Sequence, residues 1–300
     1  MALWVAAQRA QVQTMQEWLD STCRVVGAAT SATVNALCDA LCTWLKIAAA
    51  NDHWVVVRLL LSSGFFASLH SDVQVSMCSG ALQTAARHES RAVVSGMLEH
   101  SMQLLPPEAA KRSRRIALST AVEWTHVQTA KLLLATKADI RGRPGDTPLL
   151  FRAICRPRTR ARNMACANTI SLLLKFKADI HGKNFVPLRS RRTPLAHAVM
   201  FRAPAVVVAR LLRAKADPND STNSFGPESG QPVLSEAVNG GHVKIVTLLL
   251  QFKAGVDLPF KAGADSVDFR TDLLKASLRR GHPAVAEILR NALDKARPTD

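Results

Sequence analysis

The sequence contains no tyrosine, and aromatic residues make up only 5% of the chain. The tryptophans all lie in its first half, at Trp4, Trp18, Trp44, Trp54 and Trp124. All but Trp4 fall on or beside apolar stripes. This placement favours packing in a core or against the end of a fold. A surface anchor for a protein partner is the alternative interpretation.

The sequence also lacks long hydrophobic runs and paired cysteines. Its longest apolar segments are interrupted by charge and fall far short of the ~20 residues that a membrane-spanning helix needs. The apolar start is broken by Gln8 and Arg9, so we expect no secretory signal. Six cysteines occur without any C-x-x-C spacing, which is typical of reduced thiols in an intracellular protein. We therefore expect a cytoplasmic protein, with the nucleus as the alternative.

Motifs of catalysis are missing as well. No G-x-x-x-x-G-K-[ST], G-x-S-x-G or H-E-x-x-H pattern occurs. Cys38 and Cys42 share a helix face near His53, but the sequence places no third and fourth ligand that would complete a metal site. We predict that the chain is not an enzyme and holds no metal or cofactor.

Acidic residues are scarce in one quarter of the chain. Between Arg141 and Lys215 there are 17 Lys and Arg residues against only Asp146 and Asp179, a net charge of +15. The whole chain carries +16, so the other 225 residues are almost neutral. Arginine is the commoner cation in the loops of this basic quarter.

One sequence motif, the repeated phrase, recurs four times along the chain. It reads LLLATKADI from Leu132, LLLKFKADI from Leu172, LLRAKADPN from Leu211 and LLLQFKAGVD from Leu248. Most copies are preceded by the pattern L-x-x-A-[AV]. A polar break that often holds histidine follows this pattern, and a second apolar stripe then leads into the copy. Because a catalytic motif is needed once, repetition at this spacing indicates a structural unit.

The unit has a physical interpretation as a pair of helices. L-x-x-A-A places small and apolar side chains on one helix face, and the polar break ends that helix and begins the next. We interpret His53, His126, His242 and His282, which share one position in the repeat, as helix-start residues, and we expect stacking to hold their rings apart. One pair alone buries too little apolar surface to fold, whereas stacked pairs share a continuous core.

This pattern resembles the ankyrin repeat family. The family's T-P-L opening appears at Thr147 and Thr193, its G-H middle at Gly241 and Gly281, and its L-L-L close at Leu59 and its copies. The resemblance implies an all-α, ankyrin-type helical repeat solenoid of about eight units, with long inter-repeat loops because most steps exceed the family period. The units start near residues 1, 43, 80, 116, 147, 193, 232 and 272.

Three regions follow from these starts. Residues 1–42 form a degenerate N-terminal capping repeat, 43–271 the repeat array with basic insertions at 156–167 and 181–192, and 272–300 a C-terminal capping repeat and tail. We expect about fifteen or sixteen helices and almost no sheet. In the insertion at 156–167, the sequence RPRTRARNMACA separates the two helices of the fifth unit.

Lysine replaces the glycine that the family usually places just after the second helix. Gly64 keeps the glycine, whereas four lysines take its place, and we predict a positive φ at each: Lys137, Lys177, Lys215 and Lys253. A cation there lies favourably at a helix C-terminus.

The resemblance implies a non-catalytic scaffold that binds another protein through its concave face and finger loops. We predict that an acidic protein surface docks on the basic quarter, and we expect a monomer. The candidate partner-binding residues are Arg141, Arg143, Arg156, Arg158, Arg160, Arg162, Lys183, Arg189, Arg191 and Arg192. We expect the last three to be exposed.

Other interpretations of the basic quarter stay open. It could be a solvated charge run or a localisation signal, it could bind nucleic acid or anionic lipid, or the chain could be the targeting module of a larger enzyme. Few aromatics are interleaved with these cations (Phe151, Phe176, Phe185 and Phe201), which argues against a stacking platform for single strands.

Overall fold

The computed structural model describes residues 13–14, 16–17, 31–141, 146–154, 160–182, 184–186, 190–220, 232–255 and 269–295. Most of these residues are helical, so the all-α prediction is confirmed. They divide into two compact units, with the boundary between Ile140 and Arg141. None of the described helices is both long enough and apolar enough to cross a membrane.

From residue 31 onward, the first unit contains seven α-helices and one turn of 3₁₀-helix. These are α1 Ser31–Ala50, α2 Trp54–Leu61, α3 Gly64–Ser68, α4 Ser71–Arg87, α5 Arg91–Glu99, η1 Ser101–Gln103, α6 Pro107–Glu123 and α7 Val127–Ala135. Helices α1, α4 and α6 pack side by side in one layer, and α2, α5 and α7 pack side by side in a second. The unit is therefore a two-layered stack of helix pairs.

The second unit contains eight α-helices and two short strands in its described part. These are α8 Leu149–Ile154, α9 Arg160–Lys175, β1 Asn184–Val186, β2 Ser190–Arg192, α10 Pro194–Met200, α11 Ala205–Arg213, α12 Val233–Asn239, α13 Val243–Gln251, α14 Phe269–Arg279 and α15 Pro283–Lys295. Helices α8, α10, α12 and α14 form one layer, and α9, α11, α13 and α15 the other.

Helices occur at seven of the eight predicted pairs, and the first pair lies outside the described residues apart from four helical positions. The alanines and leucines of the repeated pattern line the space between the layers. Every one predicted to be buried is fully buried: Ala48, Ala85, Ala121, Ala198, Ala237, Leu60, Leu133, Leu173 and Leu249. Each buried leucine contributes about 1.5–3 kcal/mol relative to an exposed one.

The ends of the helices explain the repeated phrase. At Lys137 the backbone N–H donates to the Leu134 carbonyl, and the N–H of Ala138 donates to the Leu133 carbonyl. This pair of bonds is the Schellman motif, in which the first residue past the helix cap is left-handed and the next packs against the helix. Lys-Ala therefore closes the second helix by one defined pair of bonds.

The predicted positive φ is confirmed at all four lysines, with values of 58° at Lys137, 63° at Lys177, 69° at Lys215 and 62° at Lys253. The same pair of backbone bonds recurs at each one. Gly64, however, does not take this conformation. It is the first residue of α3, because the Ser63 hydroxyl accepts a hydrogen bond from the Phe66 N–H and so begins a new helix.

First helices also end with a left-handed residue, and the full pair of backbone bonds recurs at Thr125, Arg202, Gly241 and Gly281. The left-handed residues differ from one turn to the next. These are Asp52, Glu89, Thr125, Arg202, Gly241 and Gly281. Only the last two are glycines, so a charged or polar side chain stands at four of these turns.

Proline is the first residue of two of the first helices. Helix α6 starts at Pro107 and is 17 residues long, whereas α10 starts at Pro194 and is only 7 residues long. In the first unit α1, α4 and α6 begin at residues 31, 71 and 107, before the starts predicted near 43, 80 and 116. The extra residues there lengthen helices instead of loops. In the second unit the connections between pairs are long, as predicted.

The fifth predicted unit also differs from expectation at its insertion. Residues 160–167 are not a loop but the first half of α9, which is 16 residues long. Within it Cys166 and Ala167 are fully buried, and the Cys166 thiol lies 2.9 Å from the Ala153 carbonyl oxygen on α8. The end of this segment is therefore buried against α8, which the arginine-rich sequence did not indicate.

Candidate functional site

The basic quarter is the starting point for a functional site, and the structure places its predicted residues very unevenly. Arg141 is exposed, and Arg192 is half-buried at the end of β2. Arg160, Arg162 and Arg191 lie on described backbone in α9 and β2, but their side chains fall outside the described part. Outside the described residues altogether are Arg143, Arg156, Arg158, Lys183 and Arg189.

The long basic loop contains an antiparallel pair of strands. Asn184 is paired with Arg192, Phe185 with Arg191 and Val186 with Ser190. The strands lie between α9 and α10, and we call this antiparallel pair the hairpin. It fits the small amount of sheet expected from the sequence and gives the arginines of β2 a fixed backbone register.

Arg192 lies near a buried side chain of the protein. Its positive charge acts on His197 of α10, which is only 8% exposed. Burial lowers the pKa of His197 to about 4, and the Arg192 guanidinium is the second cause. The expectation that Arg192 would be exposed is therefore not met.

The His197 ring completes a small aromatic cluster. Its centroid lies 5.1 Å from the Phe151 ring, in an edge-on arrangement, and 4.4 Å from the Phe201 ring. Phe151 is fully buried on α8, whereas Phe201 is 57% exposed. The cluster joins two neighbouring helix pairs and leaves one aromatic face at the surface.

A buried polar contact closes the start of α10. The Thr193 hydroxyl accepts a hydrogen bond from the Ala196 N–H, which caps the helix, and itself donates to the Asp220 carboxylate. Asp220 in turn accepts the Val233 N–H through its backbone carbonyl at 2.9 Å. These bonds tie the connection before α10 to the connection between α11 and α12, so this carboxylate has a structural role.

The repeated histidines do more than begin helices. His53, His126 and His242 occupy the residue before a helix, but none makes a side-chain hydrogen bond to that helix. The His126 imidazole instead donates from Nε2 to the Arg87 carbonyl, 2.9 Å away in the preceding pair. Its Nδ1 atom lies 3.4 Å from a Glu89 carboxylate oxygen. This histidine therefore links neighbouring turns.

Two of these histidines, His242 and His282, lie at neighbouring turns of the second unit, and the charge of one acts on the other. Burial lowers the pKa of His242; Arg202 and His282 lower it further, and Glu236 acts in the opposite direction. The His282 ring packs so closely on Gly241 that a Cβ atom there would lie 2.6 Å from it. Among the residues with described placement, however, no group of three or more His, Cys, Asp or Glu side chains could hold a metal ion.

The described tryptophans pack against other residues. Trp44 is buried, and the Trp54 indole covers Gly96 and stacks on His100 with a centroid distance of 5.9 Å. The Arg87 guanidinium lies 5.0 Å above the Trp124 ring. These contacts agree with the packing interpretation, while Trp4 and Trp18 lie outside the described residues.

No protein-family model matches this sequence, and no curated protein matches it.

Proposed function

We propose that the chain is an ankyrin-type repeat protein of about eight units that acts as a non-catalytic scaffold for protein binding. Pairs of short helices in two layers, closed by the same backbone motif, support a repeat architecture within each unit. Such stacks present extended surfaces instead of a catalytic cleft. The proposal places the chain in the cytoplasm or nucleus.

The observation that carries this proposal is the antiparallel pairing of β1 and β2 inside the basic quarter. A net charge of +15 falls between Arg141 and Lys215, and β1 and β2 hold part of that stretch in a fixed antiparallel register. Arginine pairs with carboxylates through two parallel hydrogen bonds, and a rigid backbone reduces the entropy lost in forming them. We propose that an acidic protein surface docks on this hairpin and on the neighbouring loops.

A double variant, Arg189→Ser with Arg191→Ser, tests the proposal. Arg192 is left unchanged because it is half-buried beside His197, so its replacement would disturb packing as well as binding. The matched control is Lys111→Ser with Arg112→Ser, which removes two exposed cations from α6 in the first unit. Parent, variant and control are immobilised, and captured proteins from a lysate of the source organism are identified by mass spectrometry.

The captured partner is then purified and titrated against the three chains. We expect the hairpin variant to bind about five- to tenfold more weakly, the range expected for losing two exposed ion pairs, and the control to bind like the parent. Equal binding by parent and hairpin variant would contradict the proposal. Capture of nucleic acid, with an affinity that falls steeply as salt is raised, would support phosphate recognition instead.

A further inference from the structure

The turns between paired helices form a second distinctive surface in the second unit. Helix α10 is joined to α11 by residues 201–204, α12 to α13 by 240–242, and α14 to α15 by 280–282. These turns lie at the opposite ends of the helices from the hairpin, because the hairpin joins one pair to the next. We call the surface of residues 200–204, 239–243 and 278–283 the turn edge.

The three turns are adjacent to one another. The Arg202 charge is felt at the His242 imidazole, and the His282 ring packs on Gly241 of the preceding turn. The Arg280 guanidinium donates to the Asn239 carbonyl at 3.5 Å. The turn edge is therefore a continuous strip that crosses three helix pairs.

The turn edge exposes apolar side chains. It holds four of the nine large hydrophobic residues that are exposed among the described part of the chain. Phe201 and Leu278 are each 57% exposed, and Met200 and Val243 each 38%. Contiguous exposed apolar groups with a polar surround are typical of interaction sites.

The three segments of this strip carry only positive charge. Arg202, Arg279 and Arg280 are exposed, and no Asp or Glu occurs in these segments. The Glu236 carboxylate of α12 acts on His242 and so lies near the strip, whereas Glu287 lies in α15. The equivalent turns of the first unit each contain an acid, namely Asp52, Glu89 and Glu123, so the turn position itself does not require basic residues.

Arg202 occupies a position that suits glycine. Its φ is +54°, whereas the next two units have Gly241 and Gly281 at the equivalent positions. A left-handed arginine costs roughly 0.5–1 kcal/mol relative to glycine. The chain therefore holds an exposed cation at this turn against the local backbone preference.

We infer that the turn edge of the second unit binds an acidic peptide segment that also carries apolar side chains. Carboxylates of the segment pair with Arg202, Arg279 and Arg280, and its apolar residues cover Phe201 and Leu278. A second copy of this chain fits poorly, because it would bring a net charge of +16 to a basic surface. This inference goes beyond the proposed function, since the hairpin takes no part in it.

The test is a selection of binders from a display library of random short peptides against the parent chain. We expect enriched peptides to combine Asp or Glu with large apolar residues. The charge variant, Arg202→Gly with Arg279→Ser, should bind them about five- to tenfold more weakly. Leu278→Ser should weaken binding about tenfold through lost apolar contact.

Two controls separate this inference from the proposed function. The Lys111→Ser, Arg112→Ser chain loses the same number of charges elsewhere and should bind the peptides like the parent. The hairpin variant Arg189→Ser, Arg191→Ser should also bind them like the parent. If the charge variant does not fold, amide exchange of the parent with bound peptide gives the answer, because the inference requires protection at residues 200–204, 239–243 and 278–283.

Several results would overturn the inference. They are no enrichment, enriched peptides without acids, unchanged binding by the charge variant, or protection elsewhere in the chain. Tighter competition by a duplex oligonucleotide with steep salt dependence would assign the strip to nucleic acid. A dimer in sedimentation that the charge variant dissociates would assign it to a second copy.

Discussion

The lysines that follow the second helices show how one residue balances two opposing terms. A left-handed backbone disfavours lysine, while the carbonyl-rich end of a helix favours its positive charge. The backbone term is roughly 0.5–1 kcal/mol and the dipole term about 0.3–1 kcal/mol, so the two nearly cancel. Exposed lysine is therefore tolerated where glycine is expected.

Substitution at Lys137 separates these terms. We expect Lys137→Gly to be neutral or mildly stabilising, because it relieves the left-handed strain and loses only the charge–dipole attraction. Lys137→Ala keeps the strain and also loses the charge, so it should be about 1 kcal/mol less stable than the glycine variant. Urea unfolding of the three chains measures the difference. An alanine variant as stable as the glycine variant would show that the left-handed cost is negligible here.

His197 makes stability depend on pH. Its pKa is about 4 in the folded chain, below its usual 6.5 because of burial first and Arg192 second. The unfolded chain therefore binds a proton at a higher pH than the folded chain does, and stability falls as pH drops from 6.5 toward 4. Fully developed, this loss is about 3 kcal/mol, an order-of-magnitude figure.

The measurement compares the parent with His197→Phe, which keeps a ring between Phe151 and Phe201 but cannot titrate. The free energy of unfolding is measured at pH 7 and pH 5, above the range in which most carboxylates titrate. We expect the parent to lose more stability than the variant over this interval. The lowered pKa of His242 acts in the same direction and remains in both chains. An equal loss in both would mean that His197 is not the responsible group.

At the scale of elements, close packing in the second layer of the first unit depends on one glycine. Gly96 on α5 lies beneath the Trp54 indole at the start of α2, and a Cβ atom there would come within 2.3 Å of the ring. That approach is too short for any real contact, so either the indole or the helix must move.

Gly96→Ala should therefore destabilise the chain by about 1–3 kcal/mol, the usual range for overpacking. The thermal unfolding midpoint measures this loss. In Trp54→Leu the indole is absent, and adding Gly96→Ala to that background should cost much less than it does in the parent. Additive effects of the two substitutions would contradict the packing argument.

The ends of the helices could be predicted from the sequence better than their beginnings. Lys-Ala after an apolar triplet specifies a local pair of backbone bonds, so Lys137, Lys177, Lys215 and Lys253 took the predicted conformation. Helix α4 begins where the His70 side chain accepts a hydrogen bond from the Asp72 N–H, and histidine is not among the N-cap residues that usually mark a helix start in a sequence. The early start of α6 at Pro107 was readable, since proline favours the first turn of a helix.

The candidate sites were less predictable because side-chain surroundings come from distant segments. Arg192 was expected at the surface, but His197 and the turn near Asp220 surround the start of α10. The turn edge was overlooked altogether. Its signal was present as M-F-R-A-P at residues 200–204, where corresponding turns of the first unit carry an acid, but adjacency of three turns appears only when the pairs are stacked.

At the scale of the whole molecule, both the net charge and the helix packing are divided between the two compact units. The basic quarter begins at Arg141, which is also the first residue of the second compact unit. Within each unit a helix contacts the helices beside it in its own layer and its partner in the other. Stability in such stacks is close to a sum of terms between neighbours, so a defect acts mainly nearby.

One core substitution in each unit tests whether a defect acts mainly on the neighbouring helices. Leu211 on α11 and Leu82 on α4 are both fully buried, and replacing either by alanine should cost about 2–5 kcal/mol where the cavity forms. We expect Leu211→Ala to accelerate amide hydrogen exchange in α9, α11 and α13 while α4 and α6 keep their protection. Leu82→Ala should do the reverse, because α1 and α6 are the helices that pack on α4. Mass spectrometry of exchanged peptides, read in mild denaturant, resolves the two units. If both variants accelerated exchange equally in all of these helices, the chain would unfold as one cooperative body, and the nearest-neighbour description of the stack would be wrong.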